Sequence, residues 1–156
     1  NAKVNENFLI IARVEALIAG LGVSEARKRA DAYEKAGADA ILIHSKKNTP
    51  DEIFEFCETW AGKIPIIVIP TSYPNVTLDE LQNHKVKMVI YANQSLRVSH
   101  WAMVEYLSKL STAKSLSDVE TKMTTMEDIF HLQEMYEIKK QEIEIEKNLK
   151  KLGYIN

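Results

Sequence analysis

Four times along this chain an apolar, strand-like run stops and a polar residue follows. Phe8-Leu9-Ile10-Ile11-Ala12 runs into Arg13, and Ala40-Ile41-Leu42-Ile43 runs into His44 and Ser45. Ile64-Pro65-Ile66-Ile67-Val68-Ile69-Pro70 runs into Thr71, and Met88-Val89-Ile90-Tyr91-Ala92 runs into Asn93. A helix-like segment follows each. This is the pattern of parallel βα units, in which functional groups gather at the C-terminal strand ends. The runs are nearly continuous in β-branched and apolar residues, as strands buried on both faces require.

The spacing predicts strands at 8–14, 39–44, 64–69 and 86–92, with helices between them. Ser24 is the expected cap of a helix over 25–36, which Gly37 ends in a left-handed conformation. Thr49-Pro50-Asp51-Glu52 reads as a capping box with proline at the first helical position, and Gly62 as the close of that helix. Thr77-Leu78-Asp79-Glu80 reads as a second box opening a short helix. After Asn93 only helices are expected: one over 95–110, a cap signal at Ser117-Asp118-Val119-Glu120, and a last stretch over 126–151. Four βα units make either a small open sheet or half of an eight-stranded barrel, and strand starts about 22 to 31 residues apart suit both. The division expected is residues 1–112 as the βα units and 113–156 as a helical extension.

Composition narrows the partners. In a chain of 156 residues, net charge −2 and interleaved acids and bases favour neither nucleic acid nor an anionic membrane, and neither partner is expected. No apolar run is long enough for a membrane span, and no signal peptide is seen. Cys57 is the single cysteine, so no internal disulfide forms; a packed core residue in a reducing compartment, the cytoplasm, is expected. The chain opens on Asn1 within a few residues of a core strand, which reads as the C-terminal part of something longer.

Arg13 is the leading candidate for chemistry. A guanidinium beside an apolar core is costly unless it meets an anion, whether a ligand or an acid such as Glu15. His44, followed by the electropositive Ser45-Lys46-Lys47, ends the next strand, so the two side chains are placed to converge on a phosphate- or carboxylate-bearing substrate. Lys46 and Lys47 read as solvated. His84, His100 and His131 show no metal-ligand spacing.

Several long stretches, in order, resemble the phosphoenolpyruvate mutase family of the isocitrate lyase superfamily. They are Phe8 to Gly20, Ala36 to Lys47, Val68-Ile69-Pro70-Thr71-Ser72-Tyr73, Tyr91 to Ser99, and Glu127 to Gln133. The likeness covers most of this chain but only the C-terminal half of a family member. It implies an α/β fold, the C-terminal half of a (β/α)8 barrel, and an isomerase that interconverts phosphoenolpyruvate and phosphonopyruvate with Mg2+. By that resemblance Arg13 and His44 are catalytic and hold the migrating phosphoryl group together with Ser45. Glu15, Thr71, Asn93 and Arg97 are supporting groups, although Asn93 also reads as a helix cap and Arg97 as the partner of an acid. No metal ligand is expected in this chain, because the family's Mg2+-binding acids and gating loop lie in the N-terminal half. The implied partners are that half of the barrel, the small-molecule substrate, and further copies of the protein through the C-terminal helices. A phosphonopyruvate hydrolase, a related lyase and a non-catalytic half-barrel are the alternatives. Val14, in Arg-Val-Glu rather than Arg-Thr-Glu, favours the mutase.

Overall fold

A computed structural model of the chain describes residues 5, 7–119 and 123–155. Its strands are β1 (Ile11–Val14), β2 (Ala40–Ile43), β3 (Ile66–Val68) and β4 (Val86–Val89), and its helices α1 (Gly22–Lys35), α2 (Asp51–Thr59), α3 (Leu78–Asn83), α4 (Gln94–Leu110), α5 (Met126–Leu132) and α6 (Met135–Lys151), with a 3-10 turn at Leu116–Asp118. Two compact units divide at Arg97 and Val98.

In the first unit the strands pair in parallel in chain order, β1-β2-β3-β4. Register partners share a face, so the pairs sort the side chains. Ala12↔Ile41, Val14↔Ile43 and Ile43↔Val68 belong to one face; Ile11↔Ala40, Arg13↔Leu42, Leu42↔Ile67 and Ile67↔Met88 belong to the other. The first face makes the larger core. There Val14, Ile41, Ile43, Ile66 and Val68 pack with Ala26 and Ala30 of α1, Ile53, Phe56 and Cys57 of α2, and Leu81 of α3. The second face carries a much smaller cluster, Ala40, Leu42 and Ile67, edged by Ile69 and Ile90. An open doubly wound sheet would have helices on both faces and a crossover in strand order. Helices on one face and consecutive strands are the winding of a (β/α)8 barrel, of which four units are present.

The strands are shorter than the apolar runs. The residues Phe8, Leu9 and Ile10 precede β1, and Ile64 and Ile69 flank β3 without joining the ladder. The edge strands β1 and β4 are only partly covered, whereas β2 and β3 are buried throughout.

Local signals met mixed outcomes. Gly37 has φ of +96°, as a left-handed residue after α1 requires. The Thr77–Glu80 box forms in full, Glu80 N–H donating to the Thr77 hydroxyl and Thr77 N–H to the Glu80 carboxylate. Ser24 does not cap α1: that helix starts at Gly22, with Leu21 before it and no side-chain cap, after a turn in which Gly20 and Gly22 both take positive φ, +72° and +78°. The Thr49–Glu52 box does not form either. Thr49 donates to Asp51, Pro50 takes the cap position, and Glu52 turns to other partners. Gly62 lies beyond the end of α2; it passes where a Cβ would run into the Trp60 ring and the Glu34 carboxylate. That close approach lets Glu34 accept the Lys63 N–H at 2.7 Å and steer the chain into β3.

In the second unit the cap signal at Ser117 becomes the 3-10 turn, whose Ser115 N–H donates to Asp118 at 3.1 Å; Glu120 lies outside the described residues. The stretch 126–151 is two helices, not one. Glu134 takes φ of +54°, and Tyr136 Oη donates to Glu127 at 2.8 Å. Nine residues of continuous helix would hold those two about 13.5 Å apart along the axis, so that bond and the tilted His131–Tyr136 ring pair require the break.

Candidate active site

The four strand exits lie side by side. Val14 pairs with Ile43, Ile43 with Val68, and Val68 with Val89, so Glu15, His44, Ile69 and Ile90 leave the sheet along one edge. Arg13 and Leu42 share the face turned away from the helices, and His44 follows Leu42 by two residues, which returns it to that face. Arg13 and His44 therefore stand on adjacent strands, on one face and at one end. They sense each other electrostatically: the imidazole is held below its ordinary value by burial first and by the Arg13 charge second, with Glu15 and a backbone hydrogen bond to Ile69 opposing.

Arg13 does not stand alone. Its Nε donates to Glu15 Oε1, and both side chains are about half exposed. This is the acid partner that the residue types allowed for. Among the described residues the guanidinium has no further ion pair or hydrogen bond.

Three buried polar atoms on this end find no partner among the described residues: His44 Nδ1, Thr71 Oγ1 and Asn93 Oδ1. Each follows a different strand. An unsatisfied buried polar atom costs about 1–3 kcal/mol, and three along one edge are a set that a polar ligand would satisfy. Because its Oδ1 is unbonded, the Asn93 side chain is not the cap of α4; only its carbonyl serves the helix, accepting the Arg97 N–H at 3.0 Å. Arg97 itself is exposed in the first turn of α4. A fourth unpartnered atom, Tyr73 Oη, belongs to the helix-side core instead, where burial pushes the phenol up.

Ser45 is placed differently. It is fully buried, its hydroxyl donates to Glu52 Oε1, and it accepts the Lys47 N–H at 3.0 Å. Lys47 Nζ closes on Glu52 Oε2 at 2.8 Å. Sequence reasoning assigned Glu52 to a capping box and missed this role; only the i, i+7 spacing of Ser45 and Glu52 across a turn hinted at it. Lys46 is exposed. Cys57 is a core residue, its thiol pushed up to about 12 by burial. No group of three or more His, Cys, Asp or Glu among the described residues could hold a metal ion, and Glu15 is engaged by Arg13, so these residues do not by themselves fit Mg2+. No described helix is long and apolar enough to cross a membrane.

Residues 1–111 match the family model described as phosphoenolpyruvate phosphomutase. The chain belongs to the phosphoenolpyruvate phosphomutase family. A phosphonopyruvate hydrolase of Variovorax sp. (strain Pal2) is 44% identical over 133 residues, covering 85% of this chain and 46% of that protein. A phosphoenolpyruvate phosphomutase of Tetrahymena pyriformis is also 44% identical over 133 residues, covering 85% of this chain and 44% of that protein. Among solved structures, a phosphoenolpyruvate phosphomutase from Streptomyces platensis subsp. rosaceus superposes with a TM-score of 0.86 at 36% identity, covering 90% of this chain and 49% of that one. A phosphonopyruvate hydrolase in complex with oxalate and Mg2+ superposes with a TM-score of 0.86 at 41% identity, covering 91% of this chain and 50% of that one. This member of the family thus spans about half the length of the relatives it matches.

Proposed function

We propose that the whole protein interconverts phosphoenolpyruvate and phosphonopyruvate, as a phosphomutase. The observation that carries this reading is the edge on which Arg13, His44, Thr71 and Asn93 meet, with three buried polar atoms unpartnered. In the isomerisation the bond from phosphorus to the enol oxygen breaks and a bond from phosphorus to the methylene carbon forms. No other reactant enters or leaves. Phosphoryl transfer of this kind passes through a loose, metaphosphate-like state, so catalysis is mostly positioning and charge stabilisation. Arg13 offers its free guanidinium nitrogens to the phosphoryl oxygens, and His44 offers the Nδ1 side of its ring. An anion placed there opposes the effect of Arg13 on the imidazole and favours its protonated, donating form. Thr71 and Asn93 orient the group, and the Ser45 turn backs His44.

Mg2+ enters this reading through the hydrolase relative solved with oxalate and Mg2+. The described residues hold no set that fits the ion, so its ligands are assigned to the other half of the barrel, and no step is drawn through it. The C-terminal helices are assigned to contact between subunits, on the strength of exposed Ile138, Ile143 and Ile145 along α6.

The test is a coupled assay of phosphonopyruvate conversion by the complete protein. Arg13→Ala is expected to lower turnover by about two or more powers of ten, the scale for losing one oriented charge-stabilising group; near-parental turnover would refute the assignment. A hydrolase is the second reading, because the Variovorax enzyme matches this chain at the same 44% identity as the Tetrahymena mutase. Products separate the two: a mutase yields phosphoenolpyruvate, a hydrolase yields pyruvate and inorganic phosphate.

A further inference from the structure

His44 is the first residue after β2, and its backbone on the upstream side is fixed by the ladder through Ile43. What fixes the downstream side is a closed ring of three contacts. Ser45 donates to one oxygen of Glu52, Lys47 Nζ meets the other at 2.8 Å, and the Lys47 N–H returns to Ser45 Oγ at 3.0 Å. The Glu52 side chain is 11% exposed and Ser45 is 0% exposed. A carboxylate that far from water is costly unless each oxygen has a partner, and here each has one. Removing either Ser45 or Lys47 strips a partner from the nearly buried Glu52 carboxylate, and removing Glu52 strips one from the buried Ser45 hydroxyl, whereas the Lys47 side chain, 60% exposed, can turn to water. The ring ties the turn after β2 to the first turn of α2, one residue away from the imidazole.

We propose that Glu52 is a positioning residue for the reaction: by holding Ser45 and Lys47 it fixes the aim of His44 across the strand ends. Ser45 acts through its side chain on Glu52 rather than on a ligand. Lys47 serves as the counter-ion that lets the carboxylate stay inside. This inference rests on His44 serving the phosphoryl site.

The experiment uses the complete protein. Glu52→Ala is expected to lower kcat by about ten- to a hundredfold, the scale on which small misplacements of a reacting group act, with KM for phosphonopyruvate near the parental value. Glu52→Gln keeps an acceptor for Ser45 but loses the charge that faces Lys47, so a smaller loss is expected. Ser45→Ala should match Glu52→Ala, and the double variant should lose little more, because both remove the same bond. A merely structural role would lower the thermal midpoint and the yield of folded protein while kcat per folded site stayed parental. That result, or losses that multiply in full in the double variant, would overturn the proposal. A second readout does not depend on turnover: the imidazole signals of His44 in a long-range 1H–15N spectrum, assigned by their disappearance in His44→Gln. They should move in Glu52→Gln, the isosteric variant. Unmoved signals would overturn the positioning role. Conversion of phosphonopyruvate by the parental protein to pyruvate and inorganic phosphate, with the signals still moving, would sink the mutase reading alone.

Discussion

At the scale of single residues, His44 makes a pH dependence with a definite sign. Burial and Arg13 depress its folded-state value below the ordinary 6.5, so the unfolded chain binds the proton more readily. Stability rises with pH where the unfolded state holds more protons. The contribution is therefore complete above 6.5 and is lost as pH falls through 6.5 toward the lower folded value. Thermal midpoints of the complete protein, measured from about pH 8 to about pH 5, should fall more steeply for the parent than for His44→Asn. Parallel curves would show that the ring is not depressed. Arg13 and His44 were legible in the sequence because a strand end is a fixed address: parallel pairing brings such ends to one edge whatever lies between. Glu52 was not, because its role depends on a turn folding back over seven residues. Residue type alone makes Thr-x-x-Glu look like a helix start, and a tertiary ion pair with Lys47 outbid that local option.

At the scale of elements, caps decided which helices the sequence announced correctly. The Thr77–Glu80 box opens α3, and α3 packs Leu81 into the core beside β4. A helix of six residues has few bonds of its own, so it relies on that cap. Thr77→Ala is expected to cost about 1 kcal/mol, the typical loss for a side-chain cap, read as a lower denaturation midpoint of the complete protein with kcat unchanged. An unaltered midpoint would mean that packing of Leu81 alone holds α3. The apparent single helix over 126–151 shows the opposite failure. Its periodicity runs on without glycine or proline, so nothing in the pattern marks a break; the Tyr136–Glu127 bond that demands one spans nine positions and is invisible to a reading of near neighbours. The early start of α1 falls at a turn where Gly20 and Gly22 take positive φ, ahead of the cap that Ser24 offered.

At the scale of the molecule, the two faces of the sheet are unequal. The helix-side core is closed, while the other face carries a small apolar cluster, with Ile11 43% and Met88 51% exposed at its edges. Apolar surface of this kind on unpaired edge strands favours association. Residues 1–156 produced alone are therefore expected to show neither a stable monomer by light scattering nor Mg2+-dependent conversion of phosphonopyruvate. Adding the complementary half-barrel as a separate polypeptide should restore both, because it would pair with the edge strands β1 and β4. Robust turnover by the isolated chain would mean that the divalent-ion ligands had been misplaced. The winding was legible from four apolar runs and their spacing; the runs left sheet and barrel open, and the motif resemblance chose the barrel. That choice lies in which face each strand gives to the helices, a question of register that no single run contains.

The Arg13–Glu15 pair carries one more consequence. A guanidinium already neutralised by its own neighbour is not an open trap for anions. Under the proposed function, a phosphoryl group arriving at this edge would compete with a tethered carboxylate, and its gain from Arg13 would be the difference between two partners, not the whole of one. Such an arrangement moderates residence. On that proposal the same carboxylate would reclaim the arginine when the product leaves, so release would exchange one anionic partner for another. For a reaction whose substrate and product bear the same charged group, a site that holds both loosely turns over faster than one that holds either well.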